Sequence, residues 1–145
     1  MKRPAGLLGA AALLATVPAA VQAAPFNVTG GWFRALPGNL PAGGYFTAEN
    51  TTPRPVDITG ARSDACGMIM IHQSTSKGGM SGMDMMNRVT VPAGGRVDFS
   101  PGGYHLMCTN PTPKLKIGAR VPVTIHLSDG TAVAAAFQVR GASGK

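Results

Sequence analysis

Two histidines and a group of methionines are the residues of this chain whose types and spacing could do chemistry. His105 and Met107 lie two apart in Gly103-Tyr104-His105-Leu106-Met107-Cys108. This short apolar run alternates as a half-buried strand does, so His105 and Met107 share one face while Tyr104, Leu106 and Cys108 share the other. Upstream, Met68-Ile69-Met70-Ile71-His72 reads as a second strand that delivers an imidazole at its end, and the Gly- and Met-rich stretch after it carries Met83. The pattern is H-x10-M-x21-H-x-M. Thioethers are soft, uncharged donors that select Cu(I), and imidazole suits copper among other metals, so a mixed His/Met set points to copper. Ca, Mg and Mn want oxygen donors, and zinc is usually held by Cys, His and carboxylate, none of which fits this set as well.

The motif and its surroundings carry a resemblance. His72, Met83, His105 and Met107 stand in the contexts Val91-Pro92-Ala93-Gly94-Gly95 and Pro101-Gly102-Gly103-Tyr104-His105-Leu106-Met107. Trp32-Phe33-Arg34-Ala35, Gly44-Tyr45-Phe46 with Glu49-Asn50, and Leu115-Lys116-Ile117-Gly118 before Val121-Pro122-Val123 extend the likeness over nearly the whole chain after its leader. Together these segments resemble the PCu(A)C family of periplasmic copper chaperones. The resemblance implies that His72, Met83, His105 and Met107 bind Cu(I), with Cu(II) left open. It also implies delivery of copper to the Cu(A) site of cytochrome c oxidase, with oxidase subunit II or its assembly factors as partners.

Other candidates weigh differently. His126, inside Val123-Thr124-Ile125-His126-Leu127, has no Met or His partner nearby and reads as a structural histidine. Met80, Met85 and Met86 are spare soft donors in a loop expected from Gln73 to Asn87; loop packing is expected ahead of ligation for Met80 and Met85, since flexible Met commonly fills gaps. Cys66 and Cys108 depart from the usual family pattern. In an oxidising compartment an even pair reads first as a disulfide. Two separate buried thiols, or Cys108 as a further copper ligand, are the alternatives. Alternation turns Cys108 away from His105 and Met107, but it leaves Cys66 on the His72 face unless Gly67 introduces a bulge.

Met1 to Ala23 is expected to be a signal peptide. Lys2 and Arg3 form a basic start, Ala5 to Ala15 is a short apolar run, and Val21-Gln22-Ala23 fits a small-x-small cleavage site. An uncleaved membrane anchor is the alternative; after cleavage no stable membrane insertion is expected. Without Lys2 and Arg3 the chain keeps 11 basic against 6 acidic residues, a formal +5. The basic residues are scattered, without the clustered stripe of a nucleic-acid reader, so no nucleic-acid partner is expected. They suit a solvated surface or faster encounter with an acidic partner. The implied location is the periplasm.

Runs rich in Val, Ile, Thr, Phe and Tyr recur every ten or so residues between Gly, Pro, Asn and Asp punctuation. They predict strands over Asn27–Ala35, Gly43–Asn50, Val56–Arg62, Gly67–His72, Arg88–Val91, Arg96–Ser100, Gly103–Cys108, Val121–Leu127 and Thr131–Val139. Leu127-Ser128-Asp129-Gly130-Thr131 is the strongest hairpin signal. The fold class is therefore all-β: a single antiparallel β-sandwich or barrel, cupredoxin-like or immunoglobulin-like, over residues 24–140, with 141–145 as a disordered tail.

An enzyme is not expected, because no nucleophile has an adjacent base and no carboxylates pair. Besides the carrier reading, copper storage or resistance would suit the Met-rich stretch. A blue-copper electron carrier would need a Cys thiolate among its ligands.

Overall fold

The computed structural model describes residues 1–2, 6, 13–20 and 24–145. Much of the expected leader, with the residues around its cleavage point, lies outside the described residues. Among those described there, Leu13, Leu14 and Val17 are exposed and take no part in the core. No helix among the described residues is long and apolar enough to cross a membrane.

Ten strands follow in order: β1 (Phe26–Arg34), β2 (Ala42–Asn50), β3 (Val56–Arg62), β4 (Cys66–Lys77), β5 (Met80–Met86), β6 (Val89–Val91), β7 (Arg96–Phe99), β8 (Tyr104–Pro111), β9 (Arg120–Leu127) and β10 (Ala132–Arg140). They form one sheet in the order β5-β4-β8-β2-β1-β10-β9-β3-β6, with β7 beside β2. The all-β expectation holds. One feature departs from a purely antiparallel sheet: β1 and β10 run parallel, with Phe33 opposite Val139. A long connection is needed between parallel neighbours, and here the rest of the domain supplies it.

The sheet curls around a single core. Phe33, Phe46, Ile58, Ile71, Val91, Phe99, Leu106, Ile125 and Phe137 come from nine different strands and join one buried cluster. Period-2 alternation explains how: in β9, Val121, Val123, Ile125 and Leu127 point inward while the residues between them face out. The Asp129-Gly130 signal closes the β9–β10 hairpin as expected. Gly130 takes φ 84°, and the Asp129 carboxylate accepts from the Thr131 backbone N–H at 2.9 Å. Asn50 is a buried polar residue with its amide donating to the Arg54 and Val91 carbonyls, which ties the Pro53–Pro55 turn to the core.

One sequence expectation needs correction here. The stretch from Gln73 to Asn87 is not a loop: β4 runs on to Lys77, and β5 returns along it from Met80 to Met86. Gly78 and Gly79 form the two-residue turn between them, with φ 58° and 78°. Positive φ at both central residues matches the right-handed twist of the flanking strands, and two glycines adopt it without steric cost. At the C-terminal end the Gly141 N–H donates to the Lys145 carbonyl at 2.9 Å.

Candidate metal centre

The sequence-predicted residues collect on the outer face of the curled sheet. In the β4·β8 ladder His72 stands directly opposite His105, and Met70 directly opposite Met107. The neighbouring pairs, Ile71 with Leu106 and Ile69 with Cys108, turn toward the core. On the other side of β4, the hairpin places Met85 opposite His72 and Met83 opposite Ser74. Because directly opposite residues share a face, Met83, Met85, His72, His105 and Met107 all project from the same side. Met83, His105 and Met107 line one surface depression of about 300 Å³, together with Ser74, Gly43 and Tyr45. His72 completes the group through its ring, which meets that of His105 edge-on with centroids 5.6 Å apart.

The two imidazoles are prepared differently. His105 is 3 % exposed. Its Nδ1 lies 3.3 Å from the Gly103 carbonyl oxygen. A carbonyl only accepts, so Nδ1 is the protonated nitrogen, and in the neutral ring this tautomer puts the lone pair on Nε2. That Nε2 is buried with no hydrogen-bond partner, and so is Nδ1 of His72. Buried polar atoms normally find partners, so two ring nitrogens without one, on adjacent imidazoles, mark this spot as a candidate donor pair. Burial, and then the neighbouring His105, hold the His72 imidazole below its ordinary pKa, which favours the neutral form that can donate to a metal.

The wall of the depression is cationic and aromatic. Gly43 is opposite Met107, and next along the sheet Arg34 is opposite Gly43. The Arg34 guanidinium carbon sits 5.6 Å from the Tyr45 ring centroid and 5.4 Å from that of Trp32. Tyr45 in turn lies 6.5 Å from His105, centroid to centroid. A neutral donor set beside a guanidinium favours an ion of low charge over a more highly charged one. No group of three His, Cys, Asp or Glu suited to a harder metal occurs among the described residues. The donors that are present, two imidazoles and two thioethers, suit a soft monovalent cation.

Arg34, Gly43 and Met70 were not among the sequence candidates. The register that brings Arg34 and Gly43 alongside Met107 involves strands distant in sequence, whereas Met70 could have been placed by alternation from His72. Met80 and Met85 are 76 % and 66 % exposed, so the expectation that they pack the loop onto the barrel is incorrect. Met86 does pack against the core. His126 pairs with Ala132 on β10, away from the β5-β4-β8 face.

Cys66 and Cys108 form a disulfide, with S–S 2.01 Å and Cα atoms 5.4 Å apart. Both are buried in the core, behind the donor face. Alternation breaks between Cys66 and Met68: Gly67 and Met68 are both exposed, and across the ladder Asn110 takes φ 47°. A Cβ on residue 67 would come within 2.8 Å of the Asn110 Cβ, so the close approach requires glycine.

Comparison with known proteins places the chain in a family. The LpqE-like lipoprotein family matches residues 26–139, most of the chain. The chain belongs to this family, the PCu(A)C family. A PCu(A)C relative of known structure is the Cu(I) form of DR1885 from Deinococcus radiodurans. It is 31 % identical, with 84 % of this chain and 83 % of that one covered at a TM-score of 0.67. The copper-bound PCu(A)C domain of PmoF2, 20 % identical, shares the fold at a TM-score of 0.69 over 83 % of this chain and 97 % of that one. Lxx21020 of Leifsonia xyli subsp. xyli, whose name describes it as a lipoprotein, is 28 % identical over 95 % of this chain and 86 % of its own length.

Proposed function

We propose that this protein is an exported Cu(I) carrier that holds the ion with His72, Met83, His105 and Met107 and passes it to a copper enzyme outside the cytoplasm. The observation that carries the reading is the pair of orphaned imidazole nitrogens, His72 Nδ1 and His105 Nε2, on the face that also bears both thioethers. The copper-bound relatives support the choice of metal. Copper here is cargo. Thioether donors bind it without losing a proton, and neutral imidazoles can be exchanged one at a time, so the ion can leave by stepwise substitution at an open face. The Cu(A) site of cytochrome c oxidase, in subunit II or reached through its assembly factors, is the proposed destination. The expected leader and the lipoprotein names of relatives support export to the periplasm. The protein acts by binding and transfer, with no catalytic step of its own.

The test mixes the Cu(I)-loaded chain with an apo Cu(A) domain and follows the metal. Movement of copper to the acceptor, abolished when His72 and His105 are both replaced by Ala, supports the proposal; retention of copper on this chain contradicts delivery.

One observation favours storage as a second reading: Met68, Met80, Met83 and Met85 all present exposed thioethers. Storage requires several Cu(I) per chain at saturation, whereas the carrier requires one. The blue-copper alternative has no structural support, because both cysteines are in the disulfide and no thiolate remains to bind copper.

A further inference from the structure

From the register of β4 and β8 we infer that Met68 and Met70, with Met107, form an exit position through which Cu(I) leaves the His/Met centre. The inference rests on the carrier reading and adds to it a route and two residues. Met70 is directly opposite Met107, and Met68, two residues earlier on the same strand, is opposite Thr109. All project from the donor face, because the alternate residues Ile69 and Ile71 are directed toward the core. Directly opposite side chains have Cβ atoms about 4.5–5.5 Å apart, and diagonal ones about 7–8 Å, within reach of a flexible Met. Three thioethers therefore gather along the β4·β8 ladder, and Met107, which also lines the depression, belongs both to them and to the centre.

Along β4 and β8 exposure rises from the imidazoles toward Met68, while Met83, on β5, is exposed as well. His105 is buried, Met70 and Met107 are half-buried, and Met68 is 58 % exposed. A large apolar side chain with that exposure is not packing the core, and its backbone carbonyl is engaged by the Thr109 hydroxyl at 3.3 Å, which fixes the strand that carries it. The step is ligand exchange without redox change. As a Cu–N bond to an imidazole breaks, a Cu–S bond to Met70 forms; copper stays Cu(I), Met107 remains bound throughout, and no proton has to move. Met68 then takes the place of the second imidazole as the Cu–S bond to Met83 breaks, leaving the ion on the accessible set of Met68, Met70 and Met107.

The experiment loads the mature chain with one equivalent of Cu(I) and measures equilibrium affinity and release rate with bicinchoninate as acceptor. In Met68→Leu/Met70→Leu, which spares the four proposed ligands, affinity should stay within about twofold of wild type while release slows by about fivefold or more. A second set uses His72→Ala/His105→Ala, whose weak residual Cu(I) binding should disappear when Met68→Leu/Met70→Leu is added. Unchanged release, a comparable loss of equilibrium affinity, or residual binding indifferent to the Leu replacements overturns the exit position. A wild-type chain that takes up no Cu(I) sinks the carrier reading itself; normal uptake with unchanged release sinks only this inference.

Discussion

His72 and His105 face each other across the β4·β8 ladder, rings edge-on at 5.6 Å, each with a buried nitrogen that no protein group satisfies. Cross-strand register creates this pair, and it makes the site a property of the sheet rather than of a loop. Replacing both by Ala should leave the fold intact, because neither ring belongs to the apolar core. Cu(I) affinity should fall by at least about 100-fold, more than is lost when only an outer-shell partner of a metal ligand is removed. Thermal melting and chelator competition on the same variant check both halves.

Proton competition gives a second expectation. The imidazole must be neutral to bind, and His72 is held below the ordinary His value by burial and by His105. The part of the Cu(I) affinity that His72 supplies should therefore persist as pH falls from 8 past about 6.5, the unperturbed value, and be lost only below it. The apo protein follows the same sign. Below about pH 6.5 the unfolded chain takes up a proton at His72 before the folded chain does, so this group lowers stability as pH falls, down to the depressed folded value. Affinity and melting temperature measured across pH 8 to 4.5 test it; a midpoint for copper loss above the ordinary His value would contradict it.

The Gly78–Gly79 turn sets where Met83 sits. Both residues have positive φ, where a side chain costs about 1–2 kcal/mol each. Gly78→Val/Gly79→Val should loosen β5 and lower Cu(I) affinity by about as much as Met83→Leu does. Global stability should change little by comparison, since β5 is exposed along nearly its whole length. Equal affinity for the turn variant and wild type would show that Met83 reaches the site without the hairpin.

The disulfide should contribute stability and no copper chemistry. It spans 42 residues, and closing a loop of that size is worth about 4 kcal/mol in the chain-entropy model. Cys66→Ala/Cys108→Ala should lower the melting temperature by more than about 10 °C. Where the variant remains folded, Cu(I) affinity should be unchanged. An intense visible band in the Cu(II) form of the wild-type protein would instead signal a thiolate ligand.

The fold was legible wherever burial imposed alternation. Val121, Val123, Ile125 and Leu127 announce β9, and Asp129-Gly130 announces the hairpin after it. The end of β4 and all of β5 were missed because this hairpin stands off the core, so its strands carry Ser, Thr, Gly and exposed Met with no apolar period to read. Its signal was the Gly78-Gly79 dipeptide, taken for loop composition rather than for a turn. The parallel β1·β10 contact was invisible for a different reason: it joins the two ends of the domain, and local pattern says nothing about which strands become neighbours. At the site, alternation fixed the shared face of His105 and Met107. The approach of Met83 depends on the register of the β4–β5 hairpin, and that of Arg34 and Tyr45 on the pairing of β2 with the distant β8.

The most direct test of the central claim follows the side chains themselves as one equivalent of Cu(I) is added under reducing, anaerobic conditions. NMR spectra of the His rings and Met methyl groups should show His72, His105, Met83 and Met107 shifting together and saturating at one copper per chain, with His126 unmoved. If the two imidazoles keep their apo resonances at saturation, or only the exposed methionines respond, copper is not held where the account places it.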